Sequence, residues 1–100
     1  MTELDRVIHE PARLRIAMIL SGVDMADFNF LLNTLGLSKG NLSSHIDKLE
    51  GAGYVEVHKS FNGRIPHTAY RLTGAGRGAL ADYWATLDHI RAGSSGSISG

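Results

Sequence analysis

LGLSKGNLSSHIDKLEGAGYVEV, residues 35–57, admits few folds. Gly36 can take the left-handed backbone that closes one helix and turns sharply toward the next. Ser38 is a good N-cap. Leu42, Ile46 and Leu49 then recur at i, i+4 and i+7, so the segment 38–52 reads as a helix with one apolar stripe. Gly51 weakens its end, and Gly53 is the expected left-handed residue beyond it. Upstream, Phe28, Leu31, Leu32 and Leu35 keep helical spacing, with Asp24 or Asp27 available as the cap. Two helices and a glycine-containing turn of about four residues make a helix-turn-helix across 27–52.

The flanking sequence supplies the other elements. Residues 2–9 suit a short helical arm with Leu4, Val7 and Ile8 on one side. Pro11 fits the first turn of a further helix, where no intrahelical N–H bond is lost. Leu14, Ala17, Met18 and Ser21 follow at helical spacing, Gly22 ends the element, and 23–26 form an extended link. After the helix-turn-helix, Val55 and Val57 alternate with polar residues, SFNGRIPH interrupts, and the alternation resumes through Tyr70 and Leu72. Asn62-Gly63 is a strong turn signal, so a hairpin with a long tip is expected, with Pro66 at an edge or in the loop. Thr73 can cap a last helix, whose glycine-rich start at Gly74, Gly76 and Gly78 is soft. Leu80, Tyr83, Trp84, Leu87 and Ile90 make its broad apolar stripe. AGSSGSISG, from Ala92 to Gly100, has the composition of a flexible tail. The expectation is a mainly helical α+β fold: one winged helix-turn-helix domain over 1–91, with a two-stranded wing and a long C-terminal helix.

One hundred residues fit a single domain with one modest core. The absence of cysteine excludes disulfides, thiolate metal sites and a cysteine nucleophile. The longest apolar stretch, Ile16 to Leu20, is far too short to cross a bilayer. With no basic segment leading into an apolar one at the N-terminus, no signal peptide is expected, and a cytoplasmic location suits the composition. The formal net charge is zero, but it is unevenly spread. Residues 38–77 carry Lys39, Lys48, Lys59, Arg64, Arg71 and Arg77 against Asp47, Glu50 and Glu56. A local basic surface is what a phosphate backbone selects.

Opposite the stripe of the 38–52 helix lie Gly40, Asn41, Ser44 and Lys48, flanked by Ser43 and His45. A face that met only water would favour Ala, Glu or Gln. A helix in a DNA major groove, about 12 Å wide, instead needs small donors and acceptors. Asn41 suits adenine, Ser43 and Ser44 suit either base type, and Lys39 and Lys48 reach phosphate or guanine. The N–H groups near Ser38 can hold a phosphate at the helix N-terminus. On the hairpin, Lys59, Asn62, Arg64 and His67 cluster where the helix-turn-helix would set them beside the duplex, and Arg64 suits a narrow minor groove. The plain alternative is a solvated helix face and an ordinary surface hairpin. The joint occurrence of both features in this order favours DNA.

LGLSKGNLSSHIDKLEGAGYVEVHKSFNGRIPHTAYRLTGAGRGAL resembles the small winged-helix transcriptional regulators of the MarR/ArsR-like group, over about residues 8–85. In such regulators the recognition helix begins at the position of Ser38, and the wing tip matches Phe61 to His67. The resemblance implies a homodimeric DNA-binding repressor or activator. It also implies dimerisation through the terminal helices, here Leu4, Val7, Ile8, Leu80, Tyr83, Trp84, Leu87 and Ile90. Symmetric pairing would place two recognition helices about 34 Å apart on a near-palindromic site. Two departures stand out. Ile65 and His67 occupy positions where related wings often hold arginine or lysine, and the cysteine motifs of metal-sensing members are absent.

No catalytic constellation is visible. His9, His45, His58, His67 and His89 are scattered, without HExxH or an H-x-x-x-H pair. Ser43, Ser44 and His45 are adjacent, and helical neighbours point in different directions. GAGRG lacks the features of a phosphate-binding loop. Neither an enzyme nor a cofactor or metal site is expected. Double-stranded DNA and a second copy of the chain are the expected partners, with a small-molecule effector near Tyr83 and Trp84 left open. The alternative from another class is a winged-helix docking module that never touches DNA. Such a surface tends to present aromatic or aliphatic anchors, which the 38–52 face lacks.

Overall fold

The computed structural model describes the backbone of residues 4–99 and the side chains of residues 4–93. Side-chain caps set where most of the helices begin. Asp5 accepts from the N–H groups of Val7 and Ile8 and opens α1 (Arg6–His9). Glu10 accepts from the Ala12 N–H and opens α2 (Pro11–Ser21), with Pro11 in its first turn. After β1 (Ala26–Asp27), Asp27 rather than Asp24 caps α3 (Phe28–Leu35), accepting from the Phe30 N–H at 2.7 Å. Gly36 ends α3 with φ 68°, and Ser38 opens α4 (Lys39–Gly51) by accepting from the Asn41 N–H at 3.2 Å. Gly53, at φ 80°, redirects the chain into β2 (Val55–Asn62), which turns into β3 (Ile65–Leu72). Thr73 Oγ1 accepts from the Gly76 N–H at 2.9 Å and opens α5 (Gly74–Ser99).

The helices and the sheet share one core. Ile16 and Leu20 of α2, Leu31 of α3, Leu42 and Leu49 of α4, and Leu72 of β3 are each at most 2% exposed. Burying a side chain of this size contributes about 1.5–3 kcal/mol, so these few residues hold the helix-turn-helix against the base of the wing. The sheet is three-stranded and antiparallel in the order β1-β3-β2, where the sequence reading has two strands. Ala26 pairs with Tyr70 and Asp27 with Ala69. A two-residue strand carries no alternation of its own, so only its partner reveals it.

Three other expectations change. The hairpin tip is short, because β2 and β3 stay paired out to Asn62 and Ile65, and Gly63 (φ 68°) and Arg64 alone make the turn. Pro66 therefore lies inside β3, opposite Phe61. Bonded and non-bonded pairs alternate from the turn, which leaves the Pro66 nitrogen facing the open edge and costs no ladder bond. On α2 the covered face is Ile16, Ala17 and Leu20, while Met18 is 46% exposed. The expected stripe was rotated by one residue, since apolar residues fill both faces of this helix and spacing does not choose between them. At the C-terminus the backbone stays helical through Ser99, where composition alone predicts a tail from Ala92. Extending a formed helix fixes one residue per added bond, far easier than starting one. Of the N-terminal arm, residues 2 and 3 lie outside those described, and the helix occupies Arg6–His9.

Candidate nucleic-acid interface

Burying Leu42, Ile46 and Leu49 forces the opposite side of α4 outward. Lys39, Gly40, Asn41, Ser43, Ser44, Asp47 and Lys48 are all exposed, as is the capping residue Ser38. Gly40, Ser43, Ser44, Asp47 and Lys48 line one shallow concavity. A Cβ added at Gly40 would meet nothing within 4 Å, so packing inside the protomer does not demand glycine there.

His45 is not part of this face. It is half-buried against α2, with Nδ1 3.2 Å from Arg13 Nη1 and 3.5 Å from Glu10 Oε2. Arginine has only donors, so its contact uses the Nδ1 lone pair. Arg13 Nε also donates to the Val7 carbonyl at 2.7 Å. The histidine therefore ties α4 to the α1–α2 corner. Spacing placed it on a flank, and the polar groups offered by α2 drew it inward.

The wing sorts its side chains by face. Val55, Tyr70 and Leu72 are buried, which marks the face of the hairpin that meets the body of the protein. By strand alternation and register, Val57, Lys59, Phe61, Pro66 and Thr68 share that face. Asn62 and His67 take the opposite face, and Arg64 sits in the turn. Between α4 and the wing runs an open groove of about 550 Å³, lined by Ser43, Ile46, Asp47, Glu50, Val57, Lys59, Thr68 and Tyr70. The Tyr70 hydroxyl is pushed above its usual range, first by burial and then by the charges of Asp47 and Glu50.

The basic block divides in two. Arg71 Nη2 lies 3.5 Å from Asp24 Oδ2, and Arg77 Nη1 donates to the Ser21 carbonyl at 3.2 Å. Both serve the protomer. The side chains of Lys39, Lys48, Lys59 and Arg64 make no hydrogen bond or ion pair with any described residue, and all four residues are exposed. Asp47, absent from the sequence-derived set, stands among them without a cationic partner among the described residues. Its position three residues after Ser44 and four after Ser43 was the available signal.

The residues expected at a dimer interface separate as well. Ile8 (0%), Tyr83 (5%) and Leu80 (7%) are covered by the protomer's own core and have almost no area left for a partner. The Tyr83 hydroxyl lies 3.0 Å from His9 Nδ1, which pins α5 to the end of α1. Leu4, Val7 and Leu87 are partly covered by the same core. Trp84 and Ile90 are each 40% exposed, with the Trp84 ring edge-on to Tyr83 at 5.4 Å. From Asp88 to Gly93 every side chain of α5 is exposed. No described helix is long and apolar enough to cross a membrane.

Known proteins share this arrangement. Residues 12–90 match the family model described as a winged helix DNA-binding domain. An uncharacterized protein of Methanocaldococcus jannaschii is 37% identical over 79 residues, 78% of this chain and 85% of that protein. The structure of a transcriptional regulator homologue from Pyrococcus horikoshii OT3 superposes with a TM-score of 0.82 at 30% identity, covering 89% of this chain and 88% of that one. A MarR-family protein from Enterococcus faecalis V583 shares the fold, with a TM-score of 0.71 at 23% identity over 93% of this chain and 83% of that one. With the helix-turn-helix, the wing and the family match in agreement, this chain belongs to the winged helix DNA-binding domain family.

Proposed function

We propose that the protein is a sequence-specific, double-stranded DNA-binding transcriptional regulator that acts as a homodimer. In this reading α4 lies in the major groove and the wing meets the adjacent backbone or minor groove. The observation that carries it is the exposed face of α4: small polar side chains with Lys39 and Lys48 at its margins, and Lys59 and Arg64 on the neighbouring wing, the four cationic side chains without a partner among the described residues. Asn41, Ser43 and Ser44 are the base readers. Ser38, Lys39, Lys48 and Lys59 hold phosphate and Arg64 enters the minor groove, with Asn62 and His67 on the outer face of the wing. The regulator homologue from Pyrococcus horikoshii supports the regulatory role.

Dimerisation is drawn from α5. A helix continuing in water with Trp84 and Ile90 exposed gains little from its own protomer. Pairing with its symmetry mate would cover both residues and set two α4 helices about one DNA turn apart.

Fluorescence anisotropy on a random duplex pool and on an inverted-repeat pool, at two salt concentrations, tests the reading. Lys48→Ala and Arg64→Ala each lower affinity for all sequences and reduce the log–log salt slope by about one. Asn41→Ala and Ser44→Ala weaken discrimination by about 1–3 kcal/mol at a contacted base pair. Binding unchanged in all four variants defeats the docking. Sedimentation of the free protein reads the dimer, and a monomer at every concentration defeats that part.

A further inference from the structure

The tip of the wing carries a feature that phosphate binding does not need. Phe61 is 73% exposed and Ile65 is 68% exposed, the highest values among the exposed large apolar side chains. Phe61 stands directly across from Pro66 on the face that also bears Lys59 and Thr68. Ile65 takes the other face, across from Asn62. Apolar groups thus flank both sides of a two-residue turn whose end is Arg64.

A structural role explains this poorly. Ala69, Tyr70 and Leu72 at the base of the hairpin are buried, whereas every residue from Lys59 to His67 is exposed. Opposed Phe and Pro side chains do stabilise a hairpin, but a ring this open to water gains little from one neighbour. The surroundings specify what would cover it. Lys59, Arg64 and His67 lie on the outer hairpin, and no Asp or Glu occurs between Glu56 and Asp82. The carboxylates nearest in space, Asp27 in the hollow with Pro66 and His67 and Asp47 and Glu50 in the groove with Lys59, belong to the start of α3 and to α4 rather than to the tip. The occupant must therefore be anionic and must also offer apolar surface. Duplex DNA has both, in its phosphates and in the faces of its bases.

The register fixes the approach. Lys59 and Thr68 line the groove against α4, so they would meet the phosphate ridge bordering the major groove. Phe61 lies two residues further along the same face, about 7 Å beyond Lys59 at roughly 3.3 Å per residue. That is enough to pass the ridge. We propose that Phe61, backed by Pro66, is an apolar wedge that enters the minor groove and partly unstacks a base step flanking the site read by α4. Arg64 follows the groove floor, and Ile65 packs on the far wall. Wedges of this kind kink the duplex and exchange stacking for a larger wrapped surface. The inference rests on the DNA-binding reading above.

The test uses a duplex enriched by the wild-type protein from the inverted-repeat pool, with 2-aminopurine placed in turn at each step flanking the site. Its emission rises when the base unstacks. The wild type should brighten the probe at one flanking step per half-site. Phe61→Ala should abolish the rise and weaken binding about tenfold, the value of one buried ring, with an unchanged salt slope because no charge is removed. Phe61→Leu should restore much of both. Circular dichroism confirms that each variant folds. Salt-sensitive binding without brightening at any flanking step, or brightening that survives Phe61→Ala, overturns the wedge and leaves the role of α4 intact. A wild type that binds no duplex even at low salt overturns both.

Discussion

The Tyr54 hydroxyl donates to Asp5 Oδ2 across 2.5 Å, while Asp5 Oδ1 caps α1. Tyr54 sits in the turn between α4 and β2, so this bond anchors the joint between α4 and the wing to the N-terminal corner. Burial works to raise the Asp5 pKa but is outweighed by hydrogen bonds from Tyr54 and from the Ile8 and Val7 N–H groups, so the carboxyl lies below its ordinary 3.8. Tyr54 is pushed up to about 12, first by its bond to Asp5, then by burial and the Asp5 charge.

Both shifts make stability depend on pH, at opposite ends. The Asp5 contribution is present in full above pH 3.8 and disappears as pH falls through its lowered value. The Tyr54 contribution is present in full below pH 10.0 and disappears as pH climbs through about 12. Tyr54→Phe should cost about 1 kcal/mol at pH 7, below the usual range for a bond to a charged acceptor because both groups are partly solvated. The variant should also lose less stability than the wild type between pH 10 and 12. Some alkaline loss remains, since Tyr70 is raised as well. Urea titrations of both proteins at pH 7 and pH 11 measure this, and parallel curves would refute it.

Gly76 is required by close packing. An added Cβ would sit 2.3 Å from the Tyr54 carbonyl oxygen and 2.7 Å from Leu72 Cδ1. That carbonyl also accepts from the Thr73 N–H at 2.9 Å, so it cannot retreat freely. Gly76→Ala should destabilise by about 2 kcal/mol despite alanine's better helix propensity. Gly78→Ala, with nothing within 4 Å, should stabilise by up to about 1 kcal/mol. Chemical denaturation of the two variants side by side gives the comparison.

Gly40→Ala separates stability from function. The space around Gly40 is open, so the helix should gain some tenths of a kcal/mol, up to about 1. If α4 enters the major groove, the same methyl group meets the DNA, and affinity should fall while the melting temperature rises. A more stable variant with unchanged affinity would move Gly40 off the interface.

Asp47→Asn should increase binding to random DNA by about 1 kcal/mol, roughly fivefold, because it removes an anion from the surface proposed to face phosphates. Discrimination should fall, since a carboxylate there rejects most contacts and accepts only base N–H donors such as those of cytosine. Anisotropy on the selected site and on the random pool shows whether the two affinities converge.

Much of this architecture follows from rules that act within about one helical turn. Ser38, Asp27, Thr73 and Pro11 begin helices, and Gly36 and Gly53 redirect the chain, because each conformation depends on a residue and its near neighbours. Leu42, Ile46 and Leu49 settled which way α4 faces, so Asn41, Ser43, Ser44 and Lys48 could be read as outward-facing from spacing alone. The rest needed long-range contacts. Strand β1 exists only because β3 offers it an edge, and Met18 is exposed because Ile16 and Leu20 reached the core instead. Arg13 and Glu10 turned His45 inward, and contact with the core took Ile8, Leu80 and Tyr83 away from any interface. Local spacing sets the direction in which a side chain leaves its element, but what covers it there depends on segments far away in the chain. The caps, turns and stripes were therefore legible in the sequence, while the division of apolar and charged groups between core and interface was decided by the tertiary structure.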